Sequence, residues 1–270
     1  MRRKTFHYTV GELIPYIDWS YFLHAWGLTG AARAKAKEEL MNDAIAMLHT
    51  IEGLQCCHAL FTLCDAHSDG DNIIIENEIL PLLRQQHAIN GKPNLCLSDF
   101  VSPQQDLVGL FATTIEPQAG ISFKGDKYQE LLFHTLADRL AEATATVMHC
   151  KVRTDKGIWG YAGEENFTIE QLNREEYRGI RPAVGYPSLP DQSIIFIIDK
   201  LLRVKDIGIE LTPNGAMMPH SSVCGIMIHH PLSHYFDVGK ISEEQFNDYA
   251  RRHTSGVEDL KKFLSKNLCE

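Results

Sequence analysis

Long apolar runs are missing from this sequence. The longest covers residues 194–198, in a chain that is 44% hydrophobic, whereas a membrane-spanning helix needs roughly 20 apolar residues. No transmembrane helix is expected. Arg2, Arg3 and Lys4 give the N-terminus the charge of a signal peptide, but no apolar core of about 7–15 residues and no small-residue cleavage site follow. A cytoplasmic location is expected. Paired cysteines are also missing: the seven present are an odd number, widely spread and without a C-x-x-C pair, which in a chain of this size reads as reduced thiols. Positive charge is short, at 26 Lys and Arg against 35 Asp and Glu for a net −9. With no basic stripe interleaved with aromatics, nucleic-acid binding is a poor expectation. Glycine-rich phosphate loops are absent, which weakens nucleotide-triphosphate chemistry, a Rossmann-type cofactor and an ordinary methyltransferase built on that fold. No nucleophile elbow surrounds any cysteine. Repeats, low-complexity tracts and Pro/Ser-rich linkers are lacking too, so the 270 residues read as one domain, 1–270.

What is present is an intermixed set of helix and strand signals. Leu40, Ala44, Met47, Leu48 and Ile51 recur at helical spacing and predict an amphipathic helix over 31–51, ended by Gly53. Leu132, Leu136, Leu140, Ala143 and Val147 predict a second, long helix over about 128–150. Thr168 with Gln171, Ser242 with Gln245 and Ser255 with Glu258 have capping-box spacing, and each should open a helix. Asp191, behind Pro190, is expected to start another through Ile194, Ile197, Ile198, Leu201 and Leu202, although the branched residues also suit a strand. Strands are expected at 72–75, 107–113, 208–212 and 223–229, between Gly, Pro and Asp breakers. Without regular βαβ alternation the fold class is α+β, a mainly antiparallel twisted sheet flanked by helices.

The most unusual segment is Arg181-Pro182-Ala183-Val184-Gly185-Tyr186-Pro187. Two prolines fix φ and forbid helix, while Gly185 permits positive φ or close backbone approach. Such a loop can aim the Arg181 fork at a carboxylate and lay backbone groups along a flat ligand edge. A tight turn whose arginine pairs with a neighbouring acid would look the same locally.

Tyr177-Arg178-Gly179-Ile180 followed by this loop resembles the R-P-A-x-G-Y-P segment of the activation domain of cobalamin-dependent methionine synthases. Further blocks follow the family in order. They include Ile17-Asp18-Trp19, Leu97-Ser98-Asp99-Phe100-Val101, Ala137-Asp138-Arg139-Leu140-Ala141-Glu142-Ala143, Trp159-Gly160-Tyr161-Ala162, His230-Pro231 and Asp248-Tyr249-Ala250-Arg251-Arg252. The resemblance spans nearly the whole chain. It implies binding of S-adenosylmethionine in a shallow groove and reductive methylation of cob(II)alamin, with the cobalamin held by a partner methionine synthase chain and the electron supplied by a flavodoxin-like donor. By position it assigns ligand contacts to Asp18, Arg181, Ala183, Tyr186 and Tyr235, with Arg181 suited to the ligand carboxylate and Asp18 to its ammonium. It also places Glu142 and Glu175 near the ligand or at the cobalamin-domain contact. A solvated acidic helix face would equally account for Asp138 and Glu142 at i, i+4.

Two departures stand out. Tyr235-Phe236 replaces two tyrosines of the family pattern, and the homocysteine, folate and cobalamin domains of the parent enzyme are not in this sequence. The expectation is therefore a reactivation component acting on a separate chain, unable to complete methionine synthesis alone. A module that senses S-adenosylmethionine or holds a corrinoid protein without methyl transfer is the alternative, and a paralogue with a weakened site is a third. Two metal sets are disfavoured: in His229, His230 and His234 the two adjacent histidines at a strand end point to opposite faces and His230 belongs to a family block, and Cys57, His58, Cys64 and His67 are irregularly spaced.

Overall fold

The computed structural model describes residues 2–30, 33–87, 91, 93–116 and 123–269. Its strands are β1 (Arg2–Tyr8), β2 (Cys57–Asp69), β3 (Asn72–Ile75), β4 (Glu78–Pro81), β5 (Asp106–Ile115), β6 (Glu210–Leu211), β7 (Met217–Met218) and β8 (Ser222–Met227). β2 organises the main sheet. β1 and β3 share one of its edges, β5 and then β8 extend from the other, and β4 continues beyond β3, every pairing antiparallel. β6 and β7 form a separate ribbon.

The period of two along a strand divides the core into two layers. Ala59, Phe61 and Leu63 of β2, Phe111 and Ile115 of β5, and Val223 and Met227 of β8 face one side. There they pack on α3 (Ala34–Ile51) and the long α4 (Lys127–Thr154), together with the short α1 (Val10–Leu13) and α2 (Trp19–Ala25). Leu60, Cys64, Val108, Leu110, Ala112, Cys224 and Ile226 face the other side, against α6 (Ile194–Leu202). Each buried phenylalanine or leucine in these layers contributes about 1.5–3 kcal/mol by leaving water. A smaller third cluster gathers α7 (Glu243–Arg252) and α8 (Val257–Phe263) around Leu83, Ile241, Phe246 and Leu260. Tyr249 ties it to the rest by donating 2.6 Å to the buried Asp191 carboxylate.

The expected fold class and both long helices are present. α3 begins at Ala34, and Ala31 lies outside the described residues. Thr168 and Gln171 cap α5 (Ile169–Asn173) reciprocally. Ser242 accepts from Gln245 N as expected, while the Gln245 side chain reaches Arg84 O instead of closing the box. The Ser255–Glu258 box is not formed, because α8 starts one residue later on Gly256 with no side-chain cap. Asp191 does not cap α6 either. Its Oδ1 accepts from Ser193 N at 2.8 Å in the preceding turn, and the helix opens at Ile194. Of the strand expected over 208–212 only Glu210 and Leu211 pair, since Thr212 and Gly215 turn the chain back. Strands β1, β2, β4 and β7 lie outside the four expected segments. On β2, Cys57 and His67 point to the face opposite His58 and Cys64, so these four cannot converge on one ion.

Candidate functional site

The 181–187 loop is stitched to the free edge of β8. Ile180 and Ile228 exchange backbone bonds of 2.9 and 3.0 Å, Val184 N donates to Cys224 O at 2.9 Å, and Ile226 N donates to Pro182 O at 3.0 Å. The Arg-Pro-Ala run is thus a partial outer strand, where a proline without an N–H is tolerated. Gly225 lets it approach: a Cβ there would lie 2.1 Å from Pro182 O and 2.8 Å from Ala183 Cα. Gly185, at φ +84°, then turns the chain so that Tyr186 leans out.

Arg181 is held from several sides. Its backbone N donates to Tyr235 Oη at 2.9 Å, Nη1 to Tyr177 Oη at 2.7 Å, and Nη2 to Thr146 Oγ1 at 2.9 Å. Burial works against the guanidinium charge, but nearby Tyr177, Tyr235, Glu142 and Glu175 outweigh it and keep Arg181 firmly protonated. Every side-chain acceptor it touches is neutral. Among the described residues the cation is therefore oriented but not paired, which suits an anionic group arriving from outside.

Asp18 is the N-cap of α2, its Oδ1 accepting from Ser20 N at 2.9 Å; among the described residues no protein donor meets Oδ2. Glu142, on α4, accepts from Tyr186 Oη at 2.5 Å. Burial, followed by Glu142, pushes the Tyr186 phenol above its ordinary range. Glu175 sits just past α5 at φ +57°, with Glu175 N bonded to Leu172 O and Glu176 N to Gln171 O. That is the Schellman ending, whose left-handed position is usually glycine. Burial raises the Glu175 carboxyl, partly offset by Arg181.

All seven residues expected at the site line one cleft of about 620 Å³: Asp18, Glu142, Glu175, Arg181, Ala183, Tyr186 and Tyr235. Phe111, Leu172 and Val223 add an apolar surface, and the exposed Tyr21 and Tyr186 stand at its margin. Asp18, Glu142, Glu175 and Asp237 supply four carboxylates against the guanidinium groups of Arg139 and Arg181. The cleft combines a flat apolar surface, a cation that no described acid pairs and an excess of negative charge, which fits an aromatic ligand carrying both signs and some surplus positive charge.

Residues 9–254 match the family model described as vitamin B12 dependent methionine synthase, activation domain. The chain belongs to this family. A crystal structure of the MetH reactivation domain bound to AdoHcy is similar at a TM-score of 0.90 and 34% sequence identity, over 100% of this chain and 91% of that one. As an activation domain of cobalamin-dependent methionine synthase, the chain has a cobalamin-binding partner implied by its family. Among the described residues no helix is long and apolar enough to cross a membrane.

Several lining residues of this activation domain were not singled out from sequence, notably Tyr21, Arg139 and Thr146. A signal for the last two existed: Arg139, Glu142 and Thr146 lie at helical spacing on α4 and define one polar stripe facing the cleft. The histidines set aside as metal ligands do other work, His229 bonding Asp106 Oδ1 at 2.7 Å while His230 and His234 pack on Phe100.

Phe236 also lines the cleft, and its backbone N donates to Ser188 Oγ at 3.1 Å. The main chain is thus fixed whether or not the ring carries a hydroxyl. Phe236→Tyr is expected to tighten binding of S-adenosylmethionine by less than about tenfold, matching one net hydrogen bond of about 0.5–1.5 kcal/mol. Calorimetric titration of both proteins checks this; weaker binding by the variant would show that the added hydroxyl has no acceptor.

Proposed function

We propose that this chain binds S-adenosylmethionine in the 620 Å³ cleft and supplies its methyl group for reactivation of a cobalamin-dependent methionine synthase. The observation that carries the reading is the convergence of Asp18, Glu142, Glu175, Arg181, Ala183, Tyr186 and Tyr235 on that cleft, in a chain structurally similar to a domain bound to AdoHcy. Arg181 receives the ligand carboxylate, Asp18 Oδ2 the ammonium, and the excess of carboxylates favours the sulfonium over the neutral sulfide left after transfer. A cobalamin held by the partner would be the methyl acceptor once a flavodoxin-like donor had reduced it by one electron, and AdoHcy would be left in the cleft. Side chains orient the donor molecule, so catalysis is by positioning and needs no general base.

The test is calorimetry with S-adenosylmethionine followed by reconstitution with cobalamin protein and reductant, read as methylcobalamin absorbance. One-to-one binding near micromolar, about −8 kcal/mol, is expected. Absence of both heat and a thermal shift at millimolar ligand would overturn the proposal. Binding without methylcobalamin would instead support a sensing or corrinoid-holding module.

Glu175 is expected to serve the encounter with the partner. Glu175 lines the cleft as an exposed residue, and glycine in its backbone conformation would relieve about 1 kcal/mol. The carboxylate stands where the local backbone favours having none. Glu175→Gln should slow cobalamin methylation about tenfold at saturating S-adenosylmethionine, with affinity for the free ligand within about twofold, as for a charge at a transient interface. Loss of ligand binding in this variant would assign Glu175 to the ligand shell.

A further inference from the structure

Behind Arg181 lies a buried polar group that neither the family resemblance nor the cleft lining assigns. His149, on α4 three residues beyond Thr146, is fully buried at 0% exposure. Its Nδ1 lies 3.4 Å from Arg181 Nη1 and its Nε2 3.0 Å from Tyr161 Oη. Arginine has only donors, so Nδ1 accepts. The single proton of a neutral imidazole is then on Nε2 and is donated to Tyr161, whose hydroxyl donates onward to Arg178 O at 3.3 Å. Each proton in this chain has one consistent place.

The surroundings explain why the ring stays neutral. Arg153 and Arg181 are the cations facing it, Tyr161 and Tyr177 the titratable phenols, and the Tyr177 ring meets it edge-on at 5.2 Å. Arg153 in turn lies 4.1 Å over the Tyr177 ring and is anchored by Glu165 at 2.7 Å. Burial, then Arg153 and Arg181, hold His149 well below its ordinary pKa.

We propose that His149 is a positioning residue for ligand recognition: as the Nε2–H tautomer it orients the Arg181 guanidinium through Nδ1 while leaving its positive charge free for the ligand carboxylate. An acid at this position would also orient Arg181 but would neutralise it and compete with the ligand. The inference rests on the reading of the cleft as an S-adenosylmethionine site.

Two variants separate the two ends of the ring. In His149→Asn the short amide places an oxygen near the Nδ1 position, whereas His149→Gln reaches the Nε2 position and leaves Arg181 without this acceptor. The probes are AdoHcy, which carries the carboxylate, and methylthioadenosine, which has the same nucleoside and sulfide but lacks the amino-acid end. His149→Gln should weaken AdoHcy about tenfold and methylthioadenosine less than twofold, and His149→Asn should restore AdoHcy to within about threefold of the parent. Equal loss of both probes would mark a merely structural role and overturn the proposal, as would unchanged AdoHcy binding by both variants. A second measurement needs no ligand: imidazole nitrogen NMR near neutral pH should show a neutral ring with its proton on Nε2. A proton on Nδ1, or on both nitrogens, would overturn the positioning role even with the cleft reading intact. Failure of the parent protein to bind AdoHcy, with the tautomer as stated, would sink the cleft reading and with it the ligand half of this one.

Discussion

Gly225→Ala is expected to lose S-adenosylmethionine binding and to lower the melting temperature by roughly 6–12 °C. The added Cβ would lie 2.1 Å from Pro182 O, 2.8 Å from Ala183 Cα and 3.0 Å from the Phe111 ring. Neither nearest neighbour can swing aside, because both are main-chain atoms of a run whose φ is fixed by proline. Overpacking of this kind costs about 1–3 kcal/mol when side chains absorb it, and the upper end is expected where backbone must move. In a chain of this size each kcal/mol shifts the melting temperature by about 2–4 °C. The clash would be relieved by lifting the 181–187 loop from β8, breaking the Ile226 N to Pro182 O and Val184 N to Cys224 O bonds and displacing Arg181 and Ala183 from the cleft. Gly53→Ala is the control, since a Cβ there meets nothing within 4 Å and its φ is not positive. Differential scanning calorimetry and ligand titration of both variants decide it. Gly225→Ala retaining the parent's affinity would show that the loop does not need its seat on β8.

The contrast between Gly225 and β2 shows what sequence patterning carries and what it does not. Residues 107–113 and 223–229 could be assigned as strands because breakers flank apolar or branched runs. β2 has no such pattern: from Ala59 through Cys64 it is buried on both faces, so alternation disappears, and Cys, His and Ala dilute its branched residues. β1 is hidden differently, by Arg2, Arg3 and Lys4, charges that protect an edge strand from further pairing. At the site, the seven expected residues came from resemblance, and the structure brings all of them to one cleft. The partners of Arg181 were beyond local reading, since Tyr235 is 54 residues away and Thr146 35. That Gly225 is the seat for the loop could not be read either, because its need is for space against a segment more than 40 residues earlier in the chain, not for an unusual φ.

Arg181→Met should weaken S-adenosylmethionine by about 2–5 kcal/mol, at least roughly thirtyfold in Kd, while lowering the stability of the ligand-free protein by no more than about 1–3 kcal/mol, the cost of leaving the buried His149 Nδ1 without its donor. The two effects separate because, among the described residues, the Arg181 side chain is bonded only to neutral groups. Removing it deletes no ion pair among the described residues, and the hydroxyls of Tyr177 and Thr146 can turn to other partners or water; methionine keeps most of the apolar stem. The ligand carboxylate, by contrast, loses its charged donor inside the cleft, the situation in which truncating one partner of a charge pair costs most. Arg178→Met is the matched control. Arg178 donates to His229 O at 3.0 Å and lies 5.8 Å over the Tyr161 ring, but it does not line the cleft, so its loss should leave affinity within about threefold. Arg181→Lys should fall between, since it keeps charge but not the planar fork. Thermal shift reads the outcome alongside calorimetry. At 100 times its Kd the ligand stabilises the parent by about 2.7 kcal/mol, and at that same concentration a roughly thirtyfold weaker Arg181→Met should keep about 0.9 kcal/mol of it, and less if the loss is larger. Equal loss for Arg178→Met and Arg181→Met would mean that general electrostatics, not a carboxylate seat at Arg181, governs binding.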